Sequence, residues 1–188
     1  EDLGGCQMHA RLSGLCDLTA KNDHDAIEQA RALVATLPWP DAQAPSTTND
    51  YLPDILKSIP KDFREPSECL PIIQQLIDTD QWIEFKPKYG STTVVGFAEI
   101  GTHKVGVISN QGPIDQAGAE KTCQFIQLCC VQNRPLIFLQ NTTGFMVGKQ
   151  QEQRGIIKYG SRMIQAVTNA PVAKITIHIG ASFGAGNY

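Results

Sequence analysis

The chain has 188 residues, of which 41% are hydrophobic and 19% charged, a balance typical of a globular protein. Its formal net charge of −3 provides no basic field that would attract a phosphate backbone, so nucleic acid is not an expected partner. No apolar run is long enough to cross a bilayer, so a membrane is not an expected partner either.

A first helix is predicted to begin at Asn22 or Asp23 and to end before Pro38. Its apolar residues share one stripe, formed by Ala26, Ile27, Ala30, Leu33, Val34 and Leu37. Residues 39–53 are rich in Pro, Ser, Thr and Asp without a period, which predicts an inter-domain linker. Because the chain starts without Met and stops in a glycine-rich loop, we expect it to be a piece of a longer protein.

Beyond the linker, helices and strands alternate. The pattern predicts a helix over 66–80, a β-hairpin of 92–100 and 103–110 around Gly101-Thr102, helices over 116–132 and 152–168, and strands over 135–139 and 172–179. Such alternation is typical of right-handed βαβ units, so the expected fold class is α/β. Each strand is followed by a loop that contains glycine, and ligands are expected at these carboxyl ends.

The cysteines do not form a metal-binding pattern. They are Cys6, Cys16, Cys69, Cys123, Cys129 and Cys130, without a C-x-x-C pair or zinc-finger spacing to a histidine, so no metal site is predicted. Cys123 and Cys130 recur with Ile126 at helical spacing, and Cys129 does so with Phe125. This favours reduced thiols packed in a core, and hence a reducing compartment.

The closing stretch "IHIGASFGAGNY" has two competing interpretations. Residues 180–184 fit the G-x-S-x-G spacing of a hydrolase nucleophile elbow, with Ser182 as the nucleophile. A base and a carboxylate would then have to follow Ser182, but six residues remain after it. His178 alternates with its apolar neighbours, which favours a strand residue facing another layer over a catalytic base.

The second interpretation uses the main chain. The small residues Gly184, Ala185 and Gly186 let a ligand oxygen approach the N–H groups, and two such donors form an oxyanion hole. The preceding loop "NTTGFMVG" has a similar character, because Gly144 and Gly148 bracket an apolar segment that starts at Phe145 and could line a flat ligand. The alternative is that both loops are tight turns that only serve strand-to-helix geometry.

Long segments carry a family resemblance. "FLQNTTGFMVGKQQEQRGIIKYGSRMIQAV" and "ITIHIGASFGAGNY" resemble the carboxyltransferase β subunits of biotin-dependent acyl-CoA carboxylases, in the branch that acts on 3-methylcrotonyl-CoA and geranyl-CoA. "EDLGGCQMHARLSGLCDLTAKNDHDA" resembles the end of the family's N-terminal domain, and "VGVISNQGPIDQAGAEKTCQFIQLCC" the first βα unit of its C-terminal domain. The resemblance implies an N-terminal domain end at 1–38, a linker at 39–66 and part of a C-terminal domain at 67–188.

The resemblance implies a partial crotonase-like ββα spiral, with an active site between the N domain of one subunit and the C domain of another. In this family carboxybiotin releases CO2, the biotin nitrogen takes a proton from the acyl-CoA, and the resulting enolate captures CO2 without a side-chain base. By position, the N–H groups of Ala185 and Gly186 resemble the catalytic oxyanion hole. Gly144, Phe145 and Gly184 resemble the biotin-binding wall, and Ser182 then only shapes the loop.

The same resemblance implies partners and cofactors. Biotin would be carried by an α subunit with biotin carboxylase and carrier functions, which uses ATP and bicarbonate, and the β subunits would form a homo-oligomer, by family pattern a hexamer. The substrate would be a branched unsaturated acyl-CoA of leucine or isoprenoid catabolism, carboxylated at its γ carbon. "GPIDQAG" and "NTTGF" favour geranyl-CoA. The expected compartment is the bacterial cytoplasm, with the mitochondrial matrix as the alternative.

Three other functions remain open from the sequence. A β subunit of the propionyl-CoA carboxylase type would share the fold and the biotin site. A serine hydrolase would use Ser182. A catalytically silent scaffold would only bind CoA-type ligands or partner subunits.

Overall fold

The computed structural model describes residues 3–37, 55–59, 61–62, 67–78, 82–101 and 103–187. The helices are α1 (Cys6–Met8), a π-helical turn (His9–Ser13), α2 (Asp23–Thr36), α3 (Ile55–Ser58), α4 (Leu70–Leu76), α5 (Gln116–Val131), α6 (Lys149–Gln153), α7 (Ile156–Asn169) and a 3₁₀-helix (Gly184–Asn187). The strands are β1 (Ile83–Glu84), β2 (Thr93–Ile100), β3 (His103–Asn110), β4 (Leu136–Thr142) and β5 (Lys174–Ser182). Most of the predicted linker lies outside the described residues, although α3 falls within its range.

The five strands form one mixed sheet in the order β1-β2-β3-β4-β5. The pairs β1–β2 and β2–β3 are antiparallel, and the pairs β3–β4 and β4–β5 are parallel. Helix α5 connects β3 to β4, and α6 with α7 connects β4 to β5. The predicted α/β class and the hairpin over β2 and β3 are confirmed, with Gly101 in the described part of its turn.

Apolar residues cover both faces of the sheet, because successive side chains of a strand point to opposite faces. On one face α4 packs against alternate residues of the hairpin, in a core of Cys69, Ile72, Ile73, Ile77, Val94, Ala98, Val105, Val107, Leu139 and Ile179. On the other face α5 and the end of α7 enclose Phe85, Val95, Phe97, Ile108, Phe125, Ile126, Cys129, Leu136, Ala170 and Val172. The two crossover helices therefore share one face, and α4 covers the other.

All six cysteines are free thiols, and they divide between core and surface. Cys69 and Cys129 are buried, Cys123 and Cys130 are half-buried, and Cys6 is exposed. Burial raises the pKa of the Cys129 thiol to about 12 and that of Cys69 to about 11. Both buried cysteines therefore act as small apolar side chains, as predicted for Cys129.

The predicted helix over 152–168 is wrong in its bounds. The structure has two helices here, α6 and α7, and they are separated at Gly155. Gly155 has a φ of 85°, in the left-handed region, so an α-helix cannot run through it. The helical pattern of the sequence did not distinguish a glycine that breaks a helix from one that is tolerated inside it.

Other element bounds differ less. Of the helix predicted over 66–80, the structure describes 67–78, and the helical part there is α4, with proline in its first turn. The helix predicted over 116–132 is confirmed, and the Asp115 carboxylate caps it by accepting from the Gly118 N–H at 2.7 Å. Strands β4 and β5 extend three residues beyond the predicted ends at Leu139 and Ile179, to Thr142 and Ser182. The two residues of β1 are too few to show a period, and the sequence analysis missed them.

Helix α2 forms where predicted, capped by the Asn22 side chain, which accepts from the Asp25 N–H at 2.9 Å. Its apolar stripe, however, makes no core within the described residues. Ile27 is 59% exposed and Val34 50% exposed. The stripe is therefore a surface in this chain.

Three lysines attach the N-terminal segment to the rest of the chain. One of them, Lys88, donates to the Thr19 hydroxyl at 2.5 Å and to the Gln7 side chain at 3.4 Å. Lys86 is 5% exposed, and its ammonium group contacts the Asp17 carboxylate at 2.9 Å and donates to the Gly14 carbonyl. Lys104 on β3 donates to the carbonyls of Ala35 and Leu37 at 2.8 and 2.9 Å, at the end of α2. These polar contacts connect residues 14–37 to the body of the sheet.

Candidate active site

The loops that follow β4 and β5 meet at their glycines. A Cβ on Gly186 would lie 3.2 Å from the α carbon of Gly144, and one on Gly144 would lie 3.4 Å from the Phe183 carbonyl oxygen. The α carbon of Gly184 also lies close to Gly144. Three predicted site residues, Gly144, Gly184 and Gly186, are thus brought together, and their close approach depends on the absence of side chains.

Ala185 lies in the 3₁₀-helix that follows β5, and it is exposed. Hydrogen bonds in a 3₁₀-helix join residues i and i+3, so the first two N–H groups have no acceptor within the helix. In this helix those positions belong to Gly184 and Ala185. The Gly186 N–H is the first that donates in the i to i+3 pattern. The Ala185 N–H is accordingly a main-chain donor at the surface of this loop.

Phe145 is held in place by main-chain pairing with the segment before α5. The Ile114 N–H donates to the Gly144 carbonyl at 2.9 Å, and the Met146 N–H donates to the Ile114 carbonyl at 2.8 Å. The half-buried Phe145 ring packs on α7, where a Cβ on Gly160 would lie 3.2 Å from ring carbon Cε1. The loop after β4 is therefore fixed on two sides.

Ser182 does not have the geometry of a nucleophile elbow. It lies within β5, paired with Thr142, and its hydroxyl is buried without a hydrogen-bond partner. An elbow serine instead stands exposed at a sharp turn between a strand and a helix. His178 is exposed four residues earlier on the same strand, roughly 13 Å away along an extended backbone.

Three polar residues that the sequence analysis missed hold the two loops. Gln140 donates from Nε2 to the Gly186 carbonyl at 3.1 Å, and the Ala181 N–H donates to the Asn141 side chain at 3.1 Å. The Gly144 N–H donates to the Thr142 hydroxyl at 3.1 Å. The available signal is the change from apolar to polar residues in "LIFLQNT", which hydrophobic periodicity alone assigns to the end of the strand.

A pocket of about 270 Å³ lies beside Gly186, between the sheet and α7. Its lining is mostly apolar with a few polar groups: Ile108, Asn110, Ile114, Phe138, Leu139, Gln140, Met163, Val167, Lys174, Thr176 and Gly186. This composition suits an organic ligand with an apolar part. A larger groove of about 920 Å³ runs between α5 and α7, and none of the five predicted site residues lines it.

Comparison with known proteins identifies the family. A family model described as "Carboxyl transferase domain" matches residues 1–188. The chain belongs to the carboxyl transferase domain family.

Similar carboxyl transferase proteins include acyl-CoA carboxylase subunits. The chain is 43% identical to a probable biotin-dependent acyl-coenzyme A carboxylase beta2 subunit of Mycobacterium tuberculosis, over 100% of this chain and 36% of that protein. It is 41% identical to a mitochondrial methylcrotonoyl-CoA carboxylase beta chain of Dictyostelium discoideum, over 100% of this chain and 33% of that protein. The chain thus spans about a third of the length of these curated relatives.

Solved carboxyl transferases share the fold. The geranyl-CoA carboxylase beta subunit of P. aeruginosa is 44% identical and matches 100% of this chain and 37% of its own, with a TM-score of 0.71. A transcarboxylase 12S structure described as a hexamer, with hydrolyzed methylmalonyl-coenzyme A bound, has a TM-score of 0.87 at 29% identity, over 93% of this chain and 36% of its own. The predicted crotonase-like fold and the family resemblance are confirmed.

Three titratable groups with shifted pKa values, Lys121, Glu84 and Tyr89, lie away from the two loops of this carboxyl transferase domain. Burial lowers the pKa of Lys121 to about 8, and burial also raises the pKa of Glu84. The Tyr89 hydroxyl donates to Glu120 at 2.6 Å, and burial followed by this bond raises its pKa. The five predicted site residues carry no titratable side chain, so what the loops can supply is main-chain polarity.

The described part of the chain holds no group of three or more His, Cys, Asp or Glu side chains that could bind a metal ion. Within the same ranges, no helix combines the length and the apolarity of a membrane span.

Proposed function

We propose that the protein containing this chain is the carboxyltransferase component of a biotin-dependent acyl-CoA carboxylase. It moves CO2 from carboxybiotin to the γ carbon of a branched unsaturated acyl-CoA. The observation that carries the proposal is the contact between Gly144 and the Gly184–Gly186 turn, which exposes main chain instead of side chains beside an apolar pocket. The family membership and the acyl-CoA carboxylase relatives support the same reaction.

In this proposal the Ala185 N–H, which has no acceptor within the 3₁₀-helix, donates to a ligand oxygen on which negative charge develops, and the Gly186 N–H shares its hydrogen between the helix and the same oxygen. Such fixed donors favour the transition state because they need no reorientation as charge appears. Gly144 and Gly184 leave room for the flat biotin ring, and Phe145 forms part of its wall. Carboxybiotin supplies the CO2 when it is bound, so the chain does not need a nucleophilic side chain.

We propose geranyl-CoA as the preferred substrate and 3-methylcrotonyl-CoA as the alternative. The 44% identity to a protein named geranyl-CoA carboxylase beta subunit supports the first, and the 41% identity to a methylcrotonoyl-CoA carboxylase beta chain supports the second. Both would carry a branched acyl group to the same main-chain donors. The ratio of kcat/KM for the two substrates decides between them.

The remaining parts of the assembly are also proposals. The partner is a biotinylated α subunit that uses ATP and bicarbonate, and the β subunits form a hexamer. The N-terminal carboxyltransferase domain ends within residues 1–38. A linker over 39–66 joins it to the C-terminal carboxyltransferase domain, whose first part is 67–188. We place the protein in a bacterial cytoplasm, with the mitochondrial matrix as the alternative.

The test uses the full-length protein with its biotinylated partner. Incorporation of labelled bicarbonate is measured with geranyl-CoA, 3-methylcrotonyl-CoA and propionyl-CoA, each with and without ATP. We expect ATP-dependent carboxylation with the highest kcat/KM for geranyl-CoA, since discrimination is expressed in that ratio. A preference for propionyl-CoA would reassign the substrate class. Hydrolysis of the acyl-CoA without carboxylation would overturn the proposed reaction.

A further inference from the structure

The Gln140 side chain reaches across from β4 to the turn that follows β5. Its Nε2 donates to the Gly186 carbonyl at 3.1 Å, and the side chain is buried, with the whole residue 8% exposed. Gln140 also lines the pocket beside Gly186. A buried amide that donates to a loop carbonyl restrains that loop, because breaking the bond would leave the buried amide without this acceptor.

The next residue holds the same segment from the opposite face of the sheet. The Asn141 oxygen accepts from the Ala181 N–H at 3.1 Å, while its amide nitrogen donates to the Ser67 hydroxyl at 2.9 Å. Gly180 makes room for this side chain, since a Cβ on Gly180 would overlap with Asn141 Oδ1. Asn141 thus fixes the end of β5, and Gln140 fixes the turn beyond it.

The turn needs such a restraint for a physical reason. Residues 183–187 contain two glycines, which have the widest backbone freedom of all residues. The exposed Ala185 provides little side chain to anchor the segment. An oxyanion hole works only if its donors are already oriented when charge develops.

We propose that Gln140 is a positioning residue for carboxyl transfer: by binding the Gly186 carbonyl, its side chain anchors the end of the 3₁₀-turn. Through the turn it holds the Ala185 and Gly186 N–H groups in the orientation that a ligand oxygen needs. Gln140 acts through the main chain and does not touch the reacting atoms. This inference rests on the proposed function, and it adds a residue that the family resemblance did not assign.

The test replaces the amide in the full-length protein assembled with its biotinylated partner. Gln140→Met keeps the length and removes the donor, and Gln140→Glu puts a carboxylate against the Gly186 carbonyl. We expect kcat to fall about fivefold to tenfold for Gln140→Met and more for Gln140→Glu, with the KM for acyl-CoA unchanged. Gln124→Met on the exposed side of α5 is the matched control, with kcat and Tm expected to remain at wild-type values.

A second readout does not depend on activity. Amide hydrogen exchange of a peptide covering 183–187 is compared between wild type, Gln140→Met and Gln124→Met, and faster exchange is expected only for Gln140→Met. Unchanged kcat and unchanged exchange in Gln140→Met would overturn the positioning role. If kcat/KM and Tm both fell in Gln140→Met without a local change in exchange, Gln140 would serve general stability. That result would also overturn the positioning role. If the wild type itself carboxylates no acyl-CoA, the proposed function fails, whatever the exchange data show.

Discussion

Gly144 and Gly186 come so close that a Cβ on Gly186 would lie 3.2 Å from the α carbon of Gly144. The two residues follow neighbouring parallel strands, β4 and β5, whose carboxyl ends meet at one edge of the sheet. The contact joins two loops into one surface of main chain. Side chains at either glycine would separate the loops or fill the space between them.

Gly186→Val tests this contact. We expect carboxyl transfer to fall by roughly one to two orders of magnitude, because overpacking at a tight site costs about 1–3 kcal/mol and the added methyl groups would displace the Gly144 loop. The measurement is kcat/KM of the full-length protein with its partner. Gly4→Ala is the control, since nothing lies within 4 Å of a Cβ at that position. Full activity of Gly186→Val would contradict the close-approach requirement.

Ser182→Ala separates main-chain catalysis from hydroxyl catalysis. The hydroxyl is buried without a hydrogen-bond partner, so its removal should leave kcat within about twofold and should not lower the free energy of unfolding. Ser109→Ala is a matched control in the same sheet, because the buried Ser109 hydroxyl donates to the Leu139 carbonyl at 2.8 Å. The free energy of unfolding of Ser109→Ala should be about 1 kcal/mol lower than that of the wild type. A drop of several orders of magnitude in Ser182→Ala would restore the elbow hypothesis.

Gly155→Ala tests why α6 and α7 are separate helices. With a φ of 85° at Gly155, a Cβ would strain the backbone by about 1–2 kcal/mol. We expect the urea midpoint to fall and the slope m to stay unchanged. Gly112→Ala is the comparison, since its Cβ would meet Thr92 at an ordinary 3.4 Å. If alanine at 155 stabilised the protein instead, one continuous helix would be compatible with the fold.

Periodicity and glycine placement in the sequence were enough to predict strands β2 to β5, a helical crossover after each of β3 and β4, and the two loops that carry the contacting glycines. The hairpin, α5 and the N-cap of α2 follow from local patterns, which act within a few residues. The roles of Gln140 and Asn141 were not predictable, because their hydrogen bonds join residues 46 and 40 positions apart. The exposure of the α2 stripe was likewise not predictable, since a periodic pattern shows that a face is apolar but not what covers it.

Lys121 is expected to make stability depend on pH in a defined direction. Its side chain is fully buried in the part of the chain described, and burial lowers its pKa from 10.5 to about 8. Between pH 8 and 10.5 the unfolded chain keeps a proton that the folded protein releases, so stability rises with pH across this window. The free energy of unfolding of wild type minus that of Lys121→Met should therefore increase from pH 8 to 10, by at most about 1.4 kcal/mol per pH unit.

The buried thiols act in the opposite direction, but they are present in both proteins and cancel in this difference. Lys158→Met, at an exposed lysine of α7, is the control for loss of a positive charge. A flat difference for Lys121→Met would mean that Lys121 keeps its ordinary pKa in the folded protein.

Asp17→Asn tests the attachment of the N-terminal segment to the sheet. The Asp17 carboxylate contacts the buried Lys86 ammonium at 2.9 Å, so the substitution leaves a buried charge with weaker compensation. Breaking a fully buried pair costs about 3–5 kcal/mol, and the half-exposed Asp17 reduces the expected loss to about 1–2 kcal/mol.

Glu28→Gln is the control: it removes an exposed partner of His24 and should cost well under about 1 kcal/mol. Urea unfolding at low and high salt measures both, and the Asp17→Asn loss should persist at high salt because a buried partner is poorly screened. Equal losses in the two variants would show that residues 14–17 are held by packing instead of by this ion pair.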